Sequence, residues 1–199
     1  MFHVKHEGWT EARLTEGART LLRHYEDLLL RVALPKGMVA SSDVADLRDR
    51  HIADGLRLVP LIPGEAAEMC DLGSGAGLPG IPLAIASSDL DVTLAETRSA
   101  RIAFLELAVE RLGLDNVTVF PGRAEELPEA SFDLCTARGF AKAPHAWAVA
   151  AHLLRPSGRL AYWAGRSFEL TEVPEGARVE HVVEPTLESG GPIVIMTRR

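Results

Sequence analysis

A glycine-rich segment at residues 71–80, with the sequence DLGSGAGLPG, carries the clearest chemical signal in the chain. It follows a short apolar run that predicts a β-strand, and Pro79 suits the first turn of a helix behind it. Alternating glycines let a backbone turn tightly and approach a ligand with no Cβ atom in between. We therefore predict that Gly73 and Gly75 lie against a bound cofactor.

The acid in front of this loop separates two cofactor classes. Residues 75–80 satisfy the G-x-G-x-x-G pattern that is typical of dinucleotide-binding folds, so NAD is one candidate. Asp71 stands two residues before the first glycine, where its negative charge would repel a pyrophosphate and attract an ammonium group. The position of Asp71 favours an aminoacyl cofactor such as S-adenosylmethionine.

Three further strand ends supply polar groups. Glu96 ends the second predicted strand, where either cofactor class requires a carboxylate for the ribose hydroxyls. Ala124 and Glu125 follow the third strand, where backbone amides and a side chain could contact an adenine edge. Arg138 ends the fourth strand, and ligands bind at this carboxyl edge of open α/β sheets.

Two helices are predicted ahead of these strands. Between residues 10 and 32, apolar residues recur at spacings of three and four, which predicts an amphipathic helix. The polar cluster at residues 41–43 offers an N-cap for a second helix that extends to about Leu58. We expect residues 1–62 to form a helical segment that is packed on a core of residues 63–199.

Short apolar strands alternate with helices in the rest of the chain, which predicts an α/β fold with a mostly parallel, Rossmann-like sheet. The last two strands have no room for a helix between them, so an antiparallel C-terminal hairpin is expected to close the sheet. The predicted strands span residues 68–72, 92–96, 117–120, 132–137, 159–163, 179–183 and 192–197, and the predicted helices start near residue 79 and span 99–112 and 143–154.

Composition and charge exclude several classes of protein. The chain has 199 residues, 47% of them hydrophobic and 25% charged, which predicts one globular domain rather than a disordered or fibrous chain. The net charge of −7 argues against nonspecific coating of nucleic acid. The longest apolar stretch is interrupted by prolines and no secretory signal is evident, so we expect a cytoplasmic protein without a membrane span. Cys70 and Cys135 are expected to be buried free thiols, and no metal is expected.

Four segments are shared with a known family: residues 71–83 (DLGSGAGLPGIPL), 50–54 (RHIAD), 122–127 (GRAEEL) and the segment around Arg138. Together they resemble the bacterial small-subunit ribosomal RNA methyltransferases called RsmG or GidB. The resemblance covers about residues 10–199. The phrase G-x-G-x-G-x-P-G-I-P-L is far more specific than a bare glycine loop.

The resemblance implies a class I methyltransferase fold, S-adenosylmethionine as methyl donor, and methylation of guanine N7 in the decoding-region hairpin of 16S rRNA. Carried over by motif, it implies cofactor contacts at Gly73, Leu78, Ala124, Glu125 and Arg138, with Glu96 on the ribose by the general class I pattern.

This chain departs from the family pattern at three places. An Asn-rich turn is usual between the first two helices, whereas residues 32–39 read VALPKGMV. The Arg-His motif usually ends in Asp-Ser, but Asp54 is followed by Gly55. A Lys-Gly pair is common after the fifth strand, where this chain reads Ala164-Gly165-Arg166. Arg166 is two positions away from the usual cation, whose role it could take over.

Guanine N7 carries a lone pair and no proton, so methyl transfer to it requires alignment rather than a general base. The segment after the fourth strand lacks the Asn/Asp-Pro-Pro-aromatic signature associated with methylation of exocyclic amines and the Pro-Cys nucleophile of cytosine C5 enzymes. Phe140 is the nearest aromatic candidate for stacking on a base. Arg138 is the predicted catalytic residue, because its fixed charge lies where cofactor and base would meet.

The expected partner is 16S rRNA or the small ribosomal subunit, bound by a monomer. Contact with RNA is predicted for cations at or near the carboxyl edge of the sheet, namely Arg48, Arg50, His51, Arg98, Arg101, Lys142 and Arg166.

Three other functions stay open at the level of sequence. A small-molecule methyltransferase would keep the cofactor loop and could use the two N-terminal helices as a lid. An NAD-dependent oxidoreductase would use the same G-x-G-x-x-G. An assembly factor without enzymatic activity would bind S-adenosylmethionine tightly and not turn it over.

Overall fold

The computed structural model describes residues 2–4, 13–62, 67–185 and 190–199. Within them, eight strands form one sheet in the order β1-β7-β8-β6-β5-β2-β3-β4. All neighbouring pairs are parallel except those that include β8, which runs antiparallel to β6 and β7. The strands are β1 (Phe2–Val4), β2 (Glu68–Leu72), β3 (Asp91–Ala95), β4 (Val117–Phe120), β5 (Phe132–Arg138), β6 (Leu154–Trp163), β7 (Ala177–Val183) and β8 (Ile193–Arg198).

Helices connect the parallel strands, as the alternating pattern predicts. The α-helices of the described residues are α1 (Glu16–Leu28), α2 (Asp54–Leu56), α3 (Gly80–Ala86), α4 (Ser99–Leu112) and α5 (Ala143–Leu153). Helices α3, α4 and α5 lie in the crossovers β2-α3-β3, β3-α4-β4 and β5-α5-β6. The predicted α/β class, with a mostly parallel sheet and an antiparallel C-terminal pair, is confirmed.

The C-terminal pair is inserted into the sheet rather than appended to it. Strand β8 lies between β6 and β7, and the residues of β8 from Ile193 to Thr197 are all buried. The middle residues of β7 are partly exposed, which suits a strand nearer the edge. Because the apolar run of β8 requires cover on both faces, the last strand takes the inner position.

The first predicted helix is present, although its expected start at Thr10 lies outside the described residues. Helix α1 begins at Glu16 behind the N-cap Thr15 and continues through a π-helical turn at Leu29–Ala33. Its apolar stripe buries Leu22 and Tyr25. Helix α1 packs against α3 and α4, so the N-terminal segment covers one face of the sheet.

The prediction of one continuous second helix is wrong. Short 3-10 turns at Ser41–Asp43 and Val59–Leu61 flank a π-helical turn at Arg48–Ala53 that continues into α2. Arg138 donates to the carbonyl oxygens of Arg50 and His51, so tertiary hydrogen bonds accompany the irregular winding. Residues 63–66 are not described, and the division between residues 62 and 63 stays a prediction.

The core consists of apolar clusters on the two faces of the sheet. The cluster with α1, α3 and α4 includes Phe104 and Leu105, and the cluster with α5 includes Trp147 and Leu153. Cys70 and Cys135 are register partners on β2 and β5, and both are buried free thiols, as predicted. Burial raises the pKa of each thiol. None of the described helices is long and apolar enough to span a membrane.

Candidate active site

The glycine-rich segment forms the turn between β2 and α3. Gly73 and Gly75 have φ angles of +63° and +61°, a conformation that residues with a Cβ atom rarely adopt. A Cβ at Gly73 would lie 2.7 Å from Cδ2 of Phe140, so this close approach also requires glycine. The amide of Leu78 donates to the carbonyl oxygen of Ser74 at 3.3 Å, which closes the turn.

Tyr25 ties the N-terminal helix to this turn. Its hydroxyl is buried and donates to the carbonyl oxygen of Ala76 at 2.7 Å. Burial raises the pKa of this phenol well above its ordinary value, so the hydroxyl keeps its proton as a donor. The sequence shows Tyr25 only as one member of an apolar stripe and gives no signal for this contact.

Asp71 lies beneath the turn, with 1% of its surface exposed. Its Oδ1 accepts from the hydroxyl of Thr136 at 2.7 Å and its Oδ2 accepts from the amide of Gly80 at 3.3 Å. Burial raises the pKa of Asp71 to about 6, against the opposing effect of these hydrogen bonds and of Arg138. The carboxylate therefore braces the start of α3 against β5, and contact with an ammonium group stays a prediction.

Glu96 follows β3 and is 5% exposed. Its Oε1 accepts from the amides of Thr97 and Arg98, and its Oε2 accepts from the amide of Gly75 at 3.0 Å. Burial alone would raise the pKa of Glu96, but these amides and the guanidinium of Arg101 outweigh it and lower the pKa. Glu96 is therefore held ionised beside the glycine turn.

A cavity of about 100 Å³ opens beside Glu96. We refer to it as the smaller cavity. On one side, the rings of Phe140 and His145 stack with centroids 5.8 Å apart. Its lining brings together residues at or beyond the carboxyl ends of four strands, β2, β3, β4 and β5, namely Gly73, Ala95, Glu96, Thr97, Gly122, Arg123, Ala124, Glu125, Phe140 and His145.

A second cavity of about 330 Å³, the larger cavity, lies where β5 and β6 end. Glycines and an alanine form much of its wall, and the described N-terminal segment contributes polar side chains to it. Its lining comprises Arg50, His51, Asp54, Arg138, Gly139, Trp163, Ala164, Gly165, Gly190 and Gly191.

Arg138 joins β5 to the N-terminal segment at this cavity. Its guanidinium donates to the carbonyl oxygen of Arg50 at 2.9 Å, to that of His51 at 3.2 Å, and to Nδ1 of His51. Its Nε lies 3.9 Å from Oδ2 of Asp54. The predicted catalytic cation is thus held in place by hydrogen bonds to main chain and side chain.

Asp54 connects three parts of the chain. Its Oδ2 accepts from Nε1 of Trp163 at 2.9 Å, and its Oδ1 accepts from Arg57. The buried guanidinium of Arg57 in turn donates to the carbonyl oxygens of Val183 at 2.8 Å and Gly191 at 3.2 Å. Arg57 and Trp163 have no signal in the sequence, because no local pattern reveals contacts between residues so far apart in the chain.

The predicted cofactor residues do not all line the same cavity. Gly73, Glu96, Ala124 and Glu125 line the smaller cavity, and Arg138 lines the larger one. Asp71, Gly75 and Leu78 line neither of these two cavities, although all three belong to the turn or to the strand in front of it.

The predicted RNA contacts fall into three groups. Arg50 and His51 lie at the larger cavity with Arg138. Arg48 forms an ion pair with Glu26 at 2.6 Å, and Arg101 lies 3.4 Å from Glu96, so internal acids engage these two cations. Three others, Arg98, Lys142 and Arg166, are exposed on segments that follow the carboxyl ends of β3, β5 and β6.

Comparison with known proteins gives concordant results. The sequence model of the GidB family, described as rRNA small subunit methyltransferase G, matches residues 18–187. A protein of Neisseria gonorrhoeae named Ribosomal RNA small subunit methyltransferase G is 36% identical over 194 residues, which cover 94% of this chain and 92% of that protein.

Solved structures show the same fold at low sequence identity. A variant of MtNAS in complex with S-adenosylmethionine has a TM-score of 0.65 at 17% identity, over 91% of this chain and 76% of that chain. A SAM-dependent methyltransferase from Aquifex aeolicus has a TM-score of 0.58 at 19% identity, over 76% of this chain and 92% of that chain.

Proposed function

Since the chain belongs to the GidB family of rRNA small subunit methyltransferases, we propose that it transfers the methyl group of S-adenosylmethionine to N7 of a guanine in the decoding-region hairpin of 16S rRNA. The hydrogen bond between Gly75 and Glu96 is the observation that supports cofactor binding at this place. The amide of Gly75 and the Glu96 carboxylate meet at 3.0 Å beside the smaller cavity.

The residues around the smaller cavity suit a nucleoside. A carboxylate at a strand end accepts from ribose hydroxyls in such folds. The hydrogen bond from the Arg101 guanidinium to Oε2 of Glu96 is long, at 3.4 Å, so a ribose hydroxyl can replace it at little cost. Ala124 and Glu125 line the same cavity, where they would contact the adenine, and the ring of Phe140 lies close to Gly73.

The amino acid part of the cofactor would extend from this cavity along the turn at Gly73, Gly75 and Leu78 towards Arg138. Arg138 would meet its carboxylate, because a guanidinium favours carboxylate partners. Asp71 would hold the turn from below through Gly80 and Thr136. When bound, S-adenosylmethionine supplies an activated methyl group on a sulfonium.

Neutral guanine N7 has no proton to lose, so the side chains of the cleft need only bind, orient and exclude water. Arg138 is the residue that we propose as catalytic, since it lines the larger cavity beside Gly139 and its charge does not titrate in the physiological range. Its hydrogen bonds to the segment at Arg50 and His51 fix its direction before substrate arrives.

For the RNA, we propose contacts from the exposed Arg98, Lys142 and Arg166 and from Arg50 and His51 at the larger cavity. Arg48 and Arg101 contribute less, because each is engaged by an internal acid. We further propose that the chain acts as a monomer in the cytoplasm, on 16S rRNA or the small ribosomal subunit. Light scattering of the purified protein tests the monomer.

The test of the function is chemical mapping of the methylated base. The purified chain is incubated with S-adenosylmethionine and small subunits or 16S rRNA that lack the modification, and the RNA is then cleaved at N7-methylguanine and read by primer extension. We expect one new stop in the decoding-region hairpin, which is absent without the chain.

Other outcomes identify the alternatives. Tight S-adenosylmethionine binding with no methylated RNA would indicate an assembly factor. Methyl transfer to a small molecule but to no RNA would indicate a small-molecule methyltransferase. Displacement of S-adenosylmethionine by NAD in a competition assay would indicate an oxidoreductase. Each of these results would contradict the proposal.

A further inference from the structure

Apart from Arg138, the residues that line the larger cavity have no part in the proposed cofactor contacts. The volume of this cavity, about 330 Å³, falls within the range of roughly 300–1,000 Å³ that is typical of small-molecule sites. It adjoins the smaller cavity at one turn, because Gly139 lines the larger cavity and its neighbour Phe140 lines the smaller one. A ligand in each cavity would therefore meet near this turn.

The wall of the larger cavity, which we also call the slot, is rich in glycine. Gly139, Gly165, Gly190 and Gly191 contribute walls without side chains. The indole of Trp163 has a fixed direction, because its Nε1 donates to Oδ2 of Asp54 at 2.9 Å. Aromatic rings held in this way stack on the bases of single-stranded or extruded nucleotides.

The charges around the slot match the parts of a guanine nucleotide. The Watson–Crick edge of guanine presents two donors, N1–H and the N2 amino group, and a carboxylate accepts from both. Asp54 supplies that carboxylate, and its two oxygens have about four acceptor sites, more than Arg57 and Trp163 use. Arg50 supplies a cation for the phosphate that accompanies the base.

We propose that the larger cavity receives the guanine to be methylated, extruded from its stack, with Trp163 beside the ring and Asp54 at the N1–H and N2 edge. This inference rests on the proposed function. A carboxylate on that edge leaves N7 on the far side of the base, where it can face the turn at Gly139. Asp54 thereby selects guanine and aims the atom that accepts the methyl group.

The test compares two decoding-region hairpin transcripts, one with the target guanine and one with inosine at that position. Inosine keeps N7 and N1–H but lacks the N2 amino group, so it loses one hydrogen bond to Asp54. We expect the parent to bind the guanine hairpin roughly tenfold more tightly, in line with the discrimination of a bidentate base contact. The Asp54→Asn variant should distinguish the two hairpins by less than about twofold.

A second variant tests the slot without touching its polar groups. A Cβ at Gly165 would meet no atom within 4 Å, and Gly165 lines the cavity, so we expect Gly165→Leu to fold and to occupy part of this space. We expect it to weaken hairpin binding by at least about tenfold and to leave the S-adenosylmethionine Kd, measured by calorimetry, unchanged. Ser167→Leu is the matched control, since Ser167 is exposed and does not line the cavity, and it should change neither value.

The outcomes separate this inference from the proposed function. If the parent methylates the guanine hairpin but binds both hairpins equally, the Asp54 contact is wrong. If Gly165→Leu weakens cofactor binding as much as hairpin binding, the cavity belongs to the cofactor and the inference is overturned. If the parent methylates no rRNA, the proposed function fails and the inference fails with it.

Discussion

The two cavities are assembled from the chain in different ways. The smaller cavity is built from segments that directly follow consecutive strands, and the hydrogen bond between Gly75 and Glu96 joins residues only 21 positions apart. The larger cavity depends on Arg138 and His51, 87 positions apart, on Trp163 and Asp54, 109 apart, and on Arg57 and Gly191, 134 apart. The contacts that form the larger cavity are thus longer in range along the chain than the hydrogen bond between Gly75 and Glu96 beside the smaller cavity.

The largest expected effect is the loss of cofactor affinity when the glycine turn beside the smaller cavity is distorted. Gly75→Val places a β-branched residue at a φ of +61°, which costs about 1–3 kcal/mol of strain and distorts the turn that would carry the cofactor. We expect calorimetry to show at least a hundredfold loss of S-adenosylmethionine affinity. Gly113→Val is the matched control, with a φ of +63° at the end of α4, and it should show similar strain but normal affinity. Equal affinity in both variants would contradict the cofactor assignment.

Removal of the long-range hydrogen bonds of Arg138 should lower both the free energy of unfolding and the methylation rate. Arg138→Met removes donors to two carbonyl oxygens and to His51 from a partly buried site. We expect urea unfolding to show a loss of about 2–4 kcal/mol, and hydrogen exchange to show faster exchange in residues 48–56. The single-turnover methylation rate should also fall. Unchanged exchange in that segment would show that Arg138 does not hold it.

These contacts explain how much could be read from the sequence. Strands β2 and β4 and helix α4 have the predicted bounds, because strand alternation and the stop at Gly113 are local signals. The positions of Glu96 and Ala124 beside one cavity follow from the rule that ligands bind at the carboxyl ends of parallel strands.

The larger cavity could not be predicted from the sequence, because it depends on contacts between residues that are far apart in the chain. Asp54 and Trp163 meet because β6 and the N-terminal segment converge at the larger cavity, which also includes the turn before β8. The prediction of one continuous second helix is wrong, and the carbonyl oxygens of Arg50 and His51 in this segment accept long-range hydrogen bonds from Arg138 that the sequence does not reveal. The hydrogen bonds of Asp71 to Thr136 and Gly80 have no signal in the sequence, and its contact with an ammonium group stays a prediction.

The raised pKa of the buried Asp71 predicts that the stability of the folded protein depends on pH. The pKa of Asp71, about 6 in the folded protein, lies above its ordinary value of 3.8. The folded chain therefore binds a proton that the unfolded chain has already lost, and stability falls as the pH rises from about 4 to about 6. The loss is at most about 3 kcal/mol.

Comparison with Asp71→Asn isolates this effect. Among the described groups that influence Asp71, Arg138 stays charged, and burial keeps Tyr25, Cys70 and Cys135 neutral in this pH range. Urea unfolding at pH 4, 5 and 6 should show a stability difference between parent and variant that shrinks or reverses as the pH rises. Parallel stability curves would rule out titration of Asp71 in this range.

The smallest expected effect concerns the exposed cations. Arg98 at the start of α4 lies at the carboxyl edge of the sheet, and Arg111 in the last turn of the same helix lies at the opposite edge. For hairpin binding, Arg98→Ala should lower the slope of log K against log salt by about one, the value of one phosphate contact. Arg111→Ala should leave the slope unchanged. Equal slopes in both variants would place the RNA elsewhere.

If the two cavities only bind and align the reactants, methyl transfer needs no proton-accepting residue. The most direct measurement is the single-turnover methylation rate of the decoding-region hairpin between pH 6.5 and pH 9, at saturating cofactor and RNA. We predict a rate that is constant within about twofold over this range, where a histidine or perturbed lysine base would titrate. A rate that rises tenfold per pH unit through neutrality, and loses that rise in His51→Ala, would contradict methylation at guanine N7.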